Sequence, residues 1–185
     1  MKVLALKSGF TRILNIGRFC LFVKLGEGGA FMDVPTVFEK AQHYPHVVVY
    51  GDDVLEEKED IAKLFTKLVK NNENIRLEIH VRGHIKPVAA TGYNSNLQYV
   101  VMPRLKSDSK YKFSQTAAEW YMQVGADFLF LVNEKDDIDV VNFWVNSVGI
   151  KKSKVFLTTH NNIDLILKYA KVYNYNLAPE VDWNG

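Results

Sequence analysis

The feature that most constrains the fold of this chain is a regular alternation between short apolar runs and longer stretches whose apolar residues recur at helical spacing. The short runs are rich in β-branched and aromatic residues, which is typical of buried strands. Strands that alternate with helices in this way form parallel sheets. The predicted strands are Phe19–Leu25, His46–Tyr50, Ile75–Val81, Leu97–Met102, Asp127–Val132 and Lys154–Leu157.

The clearest helix is predicted from Leu55 to Lys70. Its apolar residues form one stripe, its acidic residues come early and its lysines come late, an order that complements the helix dipole. Gly125 and Gly149 stand where glycine commonly ends a helix. Further helices are predicted at Val34–Gln42, Ser114–Val124, Ile138–Val148 and Asn162–Tyr173.

The length of 185 residues fits one globular unit, so we predict a single α/β domain over residues 1–185. Periodicity alone leaves two architectures open, an incomplete barrel and an open doubly wound sheet. In both, ligands bind beyond the carboxyl ends of the strands. The segment from Leu177 to Gly185 contains Pro179 and is expected to be a closing strand or an extended tail.

The balance of charge argues against a function that depends on a strong overall field. The chain has 23 basic and 21 acidic side chains, so nucleic acid or a membrane surface is not required by net charge. No apolar stretch approaches the roughly 20 residues of a membrane helix. The first 17 residues also lack the apolar block of a secretory signal. We therefore expect a cytoplasmic protein without membrane contact.

Cys20 is the only cysteine of the chain. A single cysteine excludes an intramolecular disulfide and any all-cysteine zinc or iron–sulfur site within one chain. Because Cys20 lies in the apolar run Phe19–Val23, we expect a buried structural thiol.

Seven short segments, located at the strands and at the loops that follow them, have a characteristic order and spacing. They are Lys7–Leu25, Val47–Leu55, Leu77–Gly83, Met102–Leu105, Asp127–Val132, Val155–His160 and Asn176–Asp182. In this order and spacing they resemble the 7-carboxy-7-deazaguanine synthases, radical-SAM enzymes that make a deazapurine precursor. The resemblance covers most of the chain and implies an incomplete (β/α)6-type barrel of parallel strands. It also implies that the segment from Lys7 is a substrate loop leading into the first strand.

The chain departs from this family at the loop after its first predicted strand. Where the family carries three cysteines, this chain has Gly26–Asp33, in which only Glu27 and Asp33 could bind iron. Three thiolates on one loop are needed to hold the cluster that cleaves S-adenosylmethionine, and carboxylates are poor substitutes. The resemblance therefore implies a catalytically inactive relative, and we predict no iron–sulfur cluster, S-adenosylmethionine or other cofactor, and no metal.

The resemblance implies a remnant ligand pocket at the carboxyl ends of the strands. Its candidate ligand-binding residues are Gly51, Asp52, Asp53, His80, Arg82, Arg104 and His160. A structural interpretation stays open, in which Asp52 or Asp53 caps the helix from Leu55 and the arginines are solvated or paired. His80 and His84 have the spacing of a metal pair, but a strand end and a loop do not present them as a helix would.

Two basic stretches interleaved with aromatic residues are candidate contacts for nucleic acid or a protein partner. Their basic residues are Lys7, Arg12 and Arg18 in the first stretch and Lys106, Lys110 and Lys112 in the second.

Three functional hypotheses follow. In the first, an inactive synthase relative acts as a binding or regulatory protein through a macromolecular partner. One version is a viral regulator of host or viral transcription or DNA-handling machinery. In the second, the chain is a small-molecule binder for a purine-like or nucleotide-like ligand, or a non-radical enzyme, that uses the remnant pocket. In the third, it is a structural subunit of a homodimer.

Overall fold

The computed structural model describes residues 1–11, 17–51, 53–88, 95–104 and 113–178, and the strands in these ranges form one nine-stranded sheet. The strands are β1 Lys2–Phe10, β2 Phe19–Leu25, β3 Ala30–Phe31, β4 His46–Gly51, β5 Arg76–Val81, β6 Leu97–Val101, β7 Asp127–Leu131, β8 Val155–Thr158 and β9 Asn176–Leu177. The α-helices are α1 Val34–Ala41, α2 Lys58–Asn71, α3 Gln115–Gln123, α4 Lys135–Val148 and α5 Ile163–Tyr173, with short 3₁₀ helices at Val54–Glu57 and Lys152–Lys154.

The strand order is β3-β1-β2-β4-β5-β6-β7-β8-β9. From β2 to β9 the hydrogen-bonded neighbours are parallel, whereas β1 is antiparallel to both β2 and β3. The predicted α/β class with a parallel sheet is thus confirmed. The parallel strands follow chain order without the reversal that marks the switch point of a doubly wound sheet.

The six predicted strands are all present, and their ends differ from the prediction by one residue or less. The expectation that Lys7–Phe10 belongs to a loop is wrong, because these residues are the second half of β1 and pair with Phe19–Phe22 of β2. The run Val3–Leu6 is a short apolar run like those of the other strands. It was not predicted as a strand because the resemblance assigned the segment from Lys7 to a loop. Of the predicted closing segment Leu177–Gly185, Leu177 belongs to the short strand β9, which pairs with β8, and residues 179–185 lie outside the described residues.

The helices lie where the sequence predicts them, with local differences at their starts. The predicted helix from Leu55 begins as the 3₁₀ turn Val54–Glu57, and Asp53 before it makes no side-chain capping bond. Helix α4 starts before its predicted first residue, since Asp137 accepts hydrogen bonds from the backbone N–H of Asn133 and Glu134. None of the helices that the structure describes is long and apolar enough to cross a membrane.

The two faces of the sheet differ in what covers them. On the helix face, strand residues such as Val49, Ile79 and Phe130 share one large apolar core with buried residues of all five α-helices. On the opposite face, which we call the polar face, a second apolar cluster is built on Val100 and Leu129 and contains no residue of these helices. Buried polar side chains also lie on the polar face, among them His46, Glu78, His80 and Asp127.

Two asparagines fasten the amino ends of strands by the same contact. The Asn96 amide donates to the carbonyls of Glu73 and Ile75, at 2.6 and 2.8 Å. The Asn176 amide donates to the carbonyls of Ser153 and Val155, at 3.0 and 3.1 Å, with the same separations along the chain. Each asparagine therefore ties the start of its strand to the start of the preceding strand.

Candidate functional site

A cleft of about 430 Å³ lies where β2, β4, β5 and β6 end and β1 begins. This volume is in the range of small-molecule sites, and its place is the edge where open α/β sheets and barrels bind ligands. The side chains that line it include Lys24, Tyr50, Asp53, Glu56, Glu57, His80, Arg82, Met102 and Arg104. We call it the carboxyl-edge cleft.

Five of the seven candidate residues come together in this cleft: Gly51, Asp53, His80, Arg82 and Arg104. Asp52 lies outside the described residues. His160 follows β8, is exposed and is not among the residues that line the cleft. It lies in the turn between β8 and α5, where its backbone N–H donates at 3.2 Å to Oδ1 of Asn133, in the loop between β7 and α4.

Gly51 sets how closely the strands approach at the floor of the cleft. Its φ is +150°, and a Cβ atom there would lie 2.2 Å from the carbonyl oxygen of Leu25. No side chain fits at that distance, so glycine allows β4 to end directly against β2.

The charged groups of the cleft come from different elements. Glu56 and Glu57 belong to the 3₁₀ turn, whereas Arg82 and Arg104 follow β5 and β6. Two of the acidic groups have protein partners, because Asp53 Oδ1 lies 3.5 Å from His84 Nε2 and Glu57 Oε1 accepts from the Lys2 backbone N–H at 3.1 Å. The cleft thus has Arg82 and Arg104 at the ends of β5 and β6 and Glu56 and Glu57 on the 3₁₀ side, and Glu27 after β2 adds a further acidic group.

A buried carboxylate lies behind the cleft on the polar face. Glu78 is 2% exposed, its Oε1 contacts His80 Nε2, and its Oε2 lies 3.3 Å from His46 Nε2. Burial by itself would raise the pKa of Glu78, but the hydrogen bonds and charges of the two imidazoles more than offset it and lower the pKa to about 2. A charged glutamate therefore connects the interior residue His46 with the cleft residue His80.

Cys20 is a buried thiol, as the sequence predicts. Burial and the nearby charge of Glu78 raise its pKa to about 12. A thiol in this state is not a nucleophile or a metal ligand at neutral pH.

The aromatic residues of the first basic stretch lie on the helix face. The rings of Phe10 and Phe19 are 5.6 Å apart, and Phe19 stacks on Tyr44 at 5.3 Å. Lys7 pairs instead with Phe22, whose ring meets Tyr50 on the polar face. The structure thus does not bring Lys7 and this aromatic surface together; Arg18 is exposed at the start of β2, and Arg12, Lys106, Lys110 and Lys112 lie outside the described residues.

Sequence analysis missed Glu78, Lys24 and Tyr50 as site residues. The signal was present in the alternation Leu77-Glu78-Ile79-His80-Val81, which puts two ionisable residues on one face of a strand and three apolar residues on the other. The sequence did not show what this polar face contacts, because His46 lies on a different strand, β4.

His80 and His84, considered above as a metal pair, contact different carboxylates. Within the described ranges, no group of three or more histidine, cysteine, aspartate or glutamate side chains is arranged to hold a metal ion. No protein-family model matches this chain, and no curated protein matches its sequence. The resemblance to the deazaguanine synthases therefore stays a prediction.

Proposed function

We propose that this chain binds a small anionic molecule of the nucleotide class in the carboxyl-edge cleft. The observation that carries the proposal is the cleft itself, which combines a ligand-sized volume with Arg82, Arg104 and His80 at the ends of adjacent strands. Guanidinium groups suit phosphate and carboxylate because they donate paired hydrogen bonds in a fixed plane.

Other lining residues support a ligand that also has a flat ring. Tyr50 and Met102 offer aromatic and thioether surface, which packs well against a heterocycle. Glu56 and Glu57 on the opposite side can accept hydrogen bonds from exocyclic amino groups. A purine-like compound with an anionic substituent would satisfy both sides of the cleft.

We also propose that the sheet curves into an incomplete barrel of the radical-SAM type. Consecutive parallel order with right-handed crossovers places successive helices on one side of a sheet. Burial of Glu78 and Leu129 on the polar face supports curvature, because curvature brings the residues of that face together. Radical chemistry is not part of the proposal, since Cys20 is the only cysteine and lies inside β2.

The test is a binding experiment on the purified chain. Small molecules that co-purify are identified by mass spectrometry, and a panel of purine and pyrimidine nucleotides is screened by thermal shift and calorimetry. In the double variant Arg82→Gln, Arg104→Gln we expect affinity for the best ligand to fall by a factor of ten or more. Each charge-assisted hydrogen bond contributes about 1.5–3 kcal/mol, and about 1.4 kcal/mol is a tenfold change in affinity.

The matched control is Arg18→Gln, which removes an exposed arginine outside the cleft. The affinity of Arg18→Gln for the best ligand should equal that of the unmodified chain. Absence of any co-purified or screened ligand at millimolar concentration, or an equal loss in Arg18→Gln, would overturn the proposal.

A second proposal is that the chain acts through a protein partner. The exposed side chains of Phe10 and Phe19, beside the half-buried Tyr44, favour it. Phe10 is 61% and Phe19 is 47% exposed although their rings pack together. Sedimentation of the unmodified chain and of the double variant Phe10→Ser, Phe19→Ser tests whether the chain forms a homodimer. Affinity capture from the source cells with the same two proteins tests whether it binds another protein. Phe143→Ser, at a 63% exposed site on α4, is the control. A monomer whose captured proteins do not depend on Phe10 and Phe19 contradicts this proposal.

A further inference from the structure

The outer edge of strand β1 is open beyond the first two residues of the strand. Strand β1 pairs with β2 along its length, but in the described part of the chain β3 pairs with it only at Lys2 and Val3. Further along the edge, the side chains of Lys7, Ser8 and Phe10 are exposed. An open edge of this kind is a template for pairing with another strand.

The hydrogen bonds between β1 and β2 decide which backbone groups face outward. Thr11 and Arg18 continue the register of the two strands, and the N–H of Thr11 donates to the carbonyl of Arg18 at 2.9 Å. In an antiparallel ladder, such hydrogen-bonded pairs alternate with pairs whose N–H and C=O groups point to the opposite side. Because the register is continuous after the shift near the start of β1, the outward groups are those of Leu6, Ser8 and Phe10.

The edge of β1 is complementary to itself. If Ser8 lies opposite Ser8 of a second, antiparallel copy, Leu6 lies opposite Phe10, and each of these pairs would exchange two backbone hydrogen bonds. The pairs of Leu6 with Phe10 would cover the phenyl ring, which is 61% exposed in the single chain. Lys7 would lie opposite Gly9, so like charges would not be directly opposed.

The adjacent symmetric registers fit less well. A pairing centred on Lys7 would oppose two like charges, which is destabilising. It would also bring Thr11 of the second copy to Val3, where β3 already pairs. A pairing centred one residue after Ser8 would leave Leu6 beyond the end of the second β1. The charge of Lys7 and the position of β3 therefore favour the register centred on Ser8.

We propose that two copies of this chain pair antiparallel along β1, with a two-fold axis at Ser8, and form one continuous sheet. Both copies use the same edge, so the contact is closed and does not propagate into a fibre. The inference rests on the second proposal above and deepens it, because it names a second copy of the chain as the partner and the edge of β1 as the contact.

Sedimentation velocity over a range of concentrations measures the association, and Ser8→Pro is the variant that tests the edge. Proline removes the outward N–H of residue 8 and is tolerated on an edge strand whose N–H faces solvent. Circular dichroism should therefore show a retained fold. The dissociation constant of the dimer should rise by a factor of about ten or more, because both N–H donors at the axis are lost. Ser8→Ala keeps the N–H, is the matched control, and should associate like the unmodified chain.

Cross-linking tests the register and does not depend on the folding of Ser8→Pro. The two Cα atoms at the axis would lie about 5.5 Å apart, within the range that a disulfide spans. Ser8→Cys should therefore form an intermolecular disulfide under mild oxidation, and Cys20 does not compete because it is buried. Lys7→Cys, also at an exposed site, is the control. Its two copies would be diagonal neighbours about 7–8 Å apart, so it should cross-link more slowly than Ser8→Cys.

The inference is overturned if the chain is a monomer at every concentration, if Ser8→Pro associates as Ser8→Ala does, or if Lys7→Cys cross-links in preference to Ser8→Cys. Failure of the second proposal looks different. In that case the chain is a monomer and its captured proteins do not depend on Phe10 and Phe19. A monomer whose captured proteins do depend on them overturns only the pairing along β1.

Discussion

The helix face and the polar face of the sheet are made by alternate residues of the same strands, yet they are stabilised in different ways. On β7, Phe130 belongs to the large core shared with the helices, and its neighbour Leu129 belongs to the small cluster without helical residues. On β5, Ile79 lies in the core between Glu78 and His80 of the polar face. The helix face thus depends on apolar burial, whereas the polar face combines a small apolar cluster with charge compensation.

This difference indicates on which face of such a sheet charged functional side chains can be accommodated. A charged group on the helix face would displace the apolar contacts that hold the helices. On the polar face, charged groups have partners on a neighbouring strand or directly before one. Glu78 on β5 has His46 on β4, and Asp127 on β7 accepts from Gln98 at 2.6 Å and pairs with Lys154 at 3.1 Å. The carboxyl-edge cleft opens at one end of this polar face.

The largest expected effect comes from comparing the same substitution on the two faces. Leu157 on the helix face is fully buried in the large core, and Leu129 on the polar face is 1% exposed in the small cluster. Leu157→Ala should lower the free energy of unfolding by about 4 kcal/mol and Leu129→Ala by about 2–3 kcal/mol, because a cavity costs more where many neighbours cannot close in on it. Urea unfolding measures both. Equal losses would show that the two clusters are packed alike.

The next effect is the loss of charge compensation on the polar face. Glu78→Gln should lower the free energy of unfolding by about 3 kcal/mol at neutral pH, since removal of one member of a buried pair strands its partners. Because the folded chain lowers the pKa of Glu78, its contribution is complete above the unfolded carboxyl value and is lost as pH falls through the folded value of about 2. The difference between Glu78→Gln and the unmodified chain should therefore narrow with acidification.

Urea unfolding at about pH 7 and about pH 3, on either side of the unfolded glutamate pKa of roughly 4.3, checks this dependence. Glu73→Gln is the matched control, because Glu73 is exposed before β5. A difference that stays the same at both pH values would mean that the ionised form of Glu78 contributes no stability.

Sequence analysis succeeded where a local pattern decides the structure. Strand β2 was predicted at its observed ends, and Gly125 and Gly149 do end α3 and α4 with positive φ. It failed at β1, whose second half Lys7–Phe10 is polar in part, was assigned to a loop by the resemblance, and is a strand through its pairing with β2. Local periodicity cannot report a strand that depends on its neighbour.

Part of the candidate site could also be predicted from the sequence. The rule that ligands bind at the carboxyl ends of parallel strands, together with the family resemblance, nominated Gly51, Asp53, His80, Arg82 and Arg104, which line the cleft. It was not enough to find the pairing of Glu78 with His46, because that pair depends on the register between β4 and β5. Nor did it separate His160 from the cleft, since position at a strand end does not fix which strand ends share one cavity.

The smallest effect tests whether the amino end of the sheet, away from the cleft, depends on individual hydrogen bonds. Asn96→Ala and Asn176→Ala each remove two amide donors to backbone carbonyls of the preceding strand region. Each should lower the free energy of unfolding by about 1–2 kcal/mol, since partly buried carbonyls lose their donors. Asn96→Asp keeps the size of the side chain and loses the donor, so it should cost at least as much as Asn96→Ala. Nucleotide affinity should be unchanged in all three variants, because these asparagines and the cleft lie at opposite ends of the parallel strands.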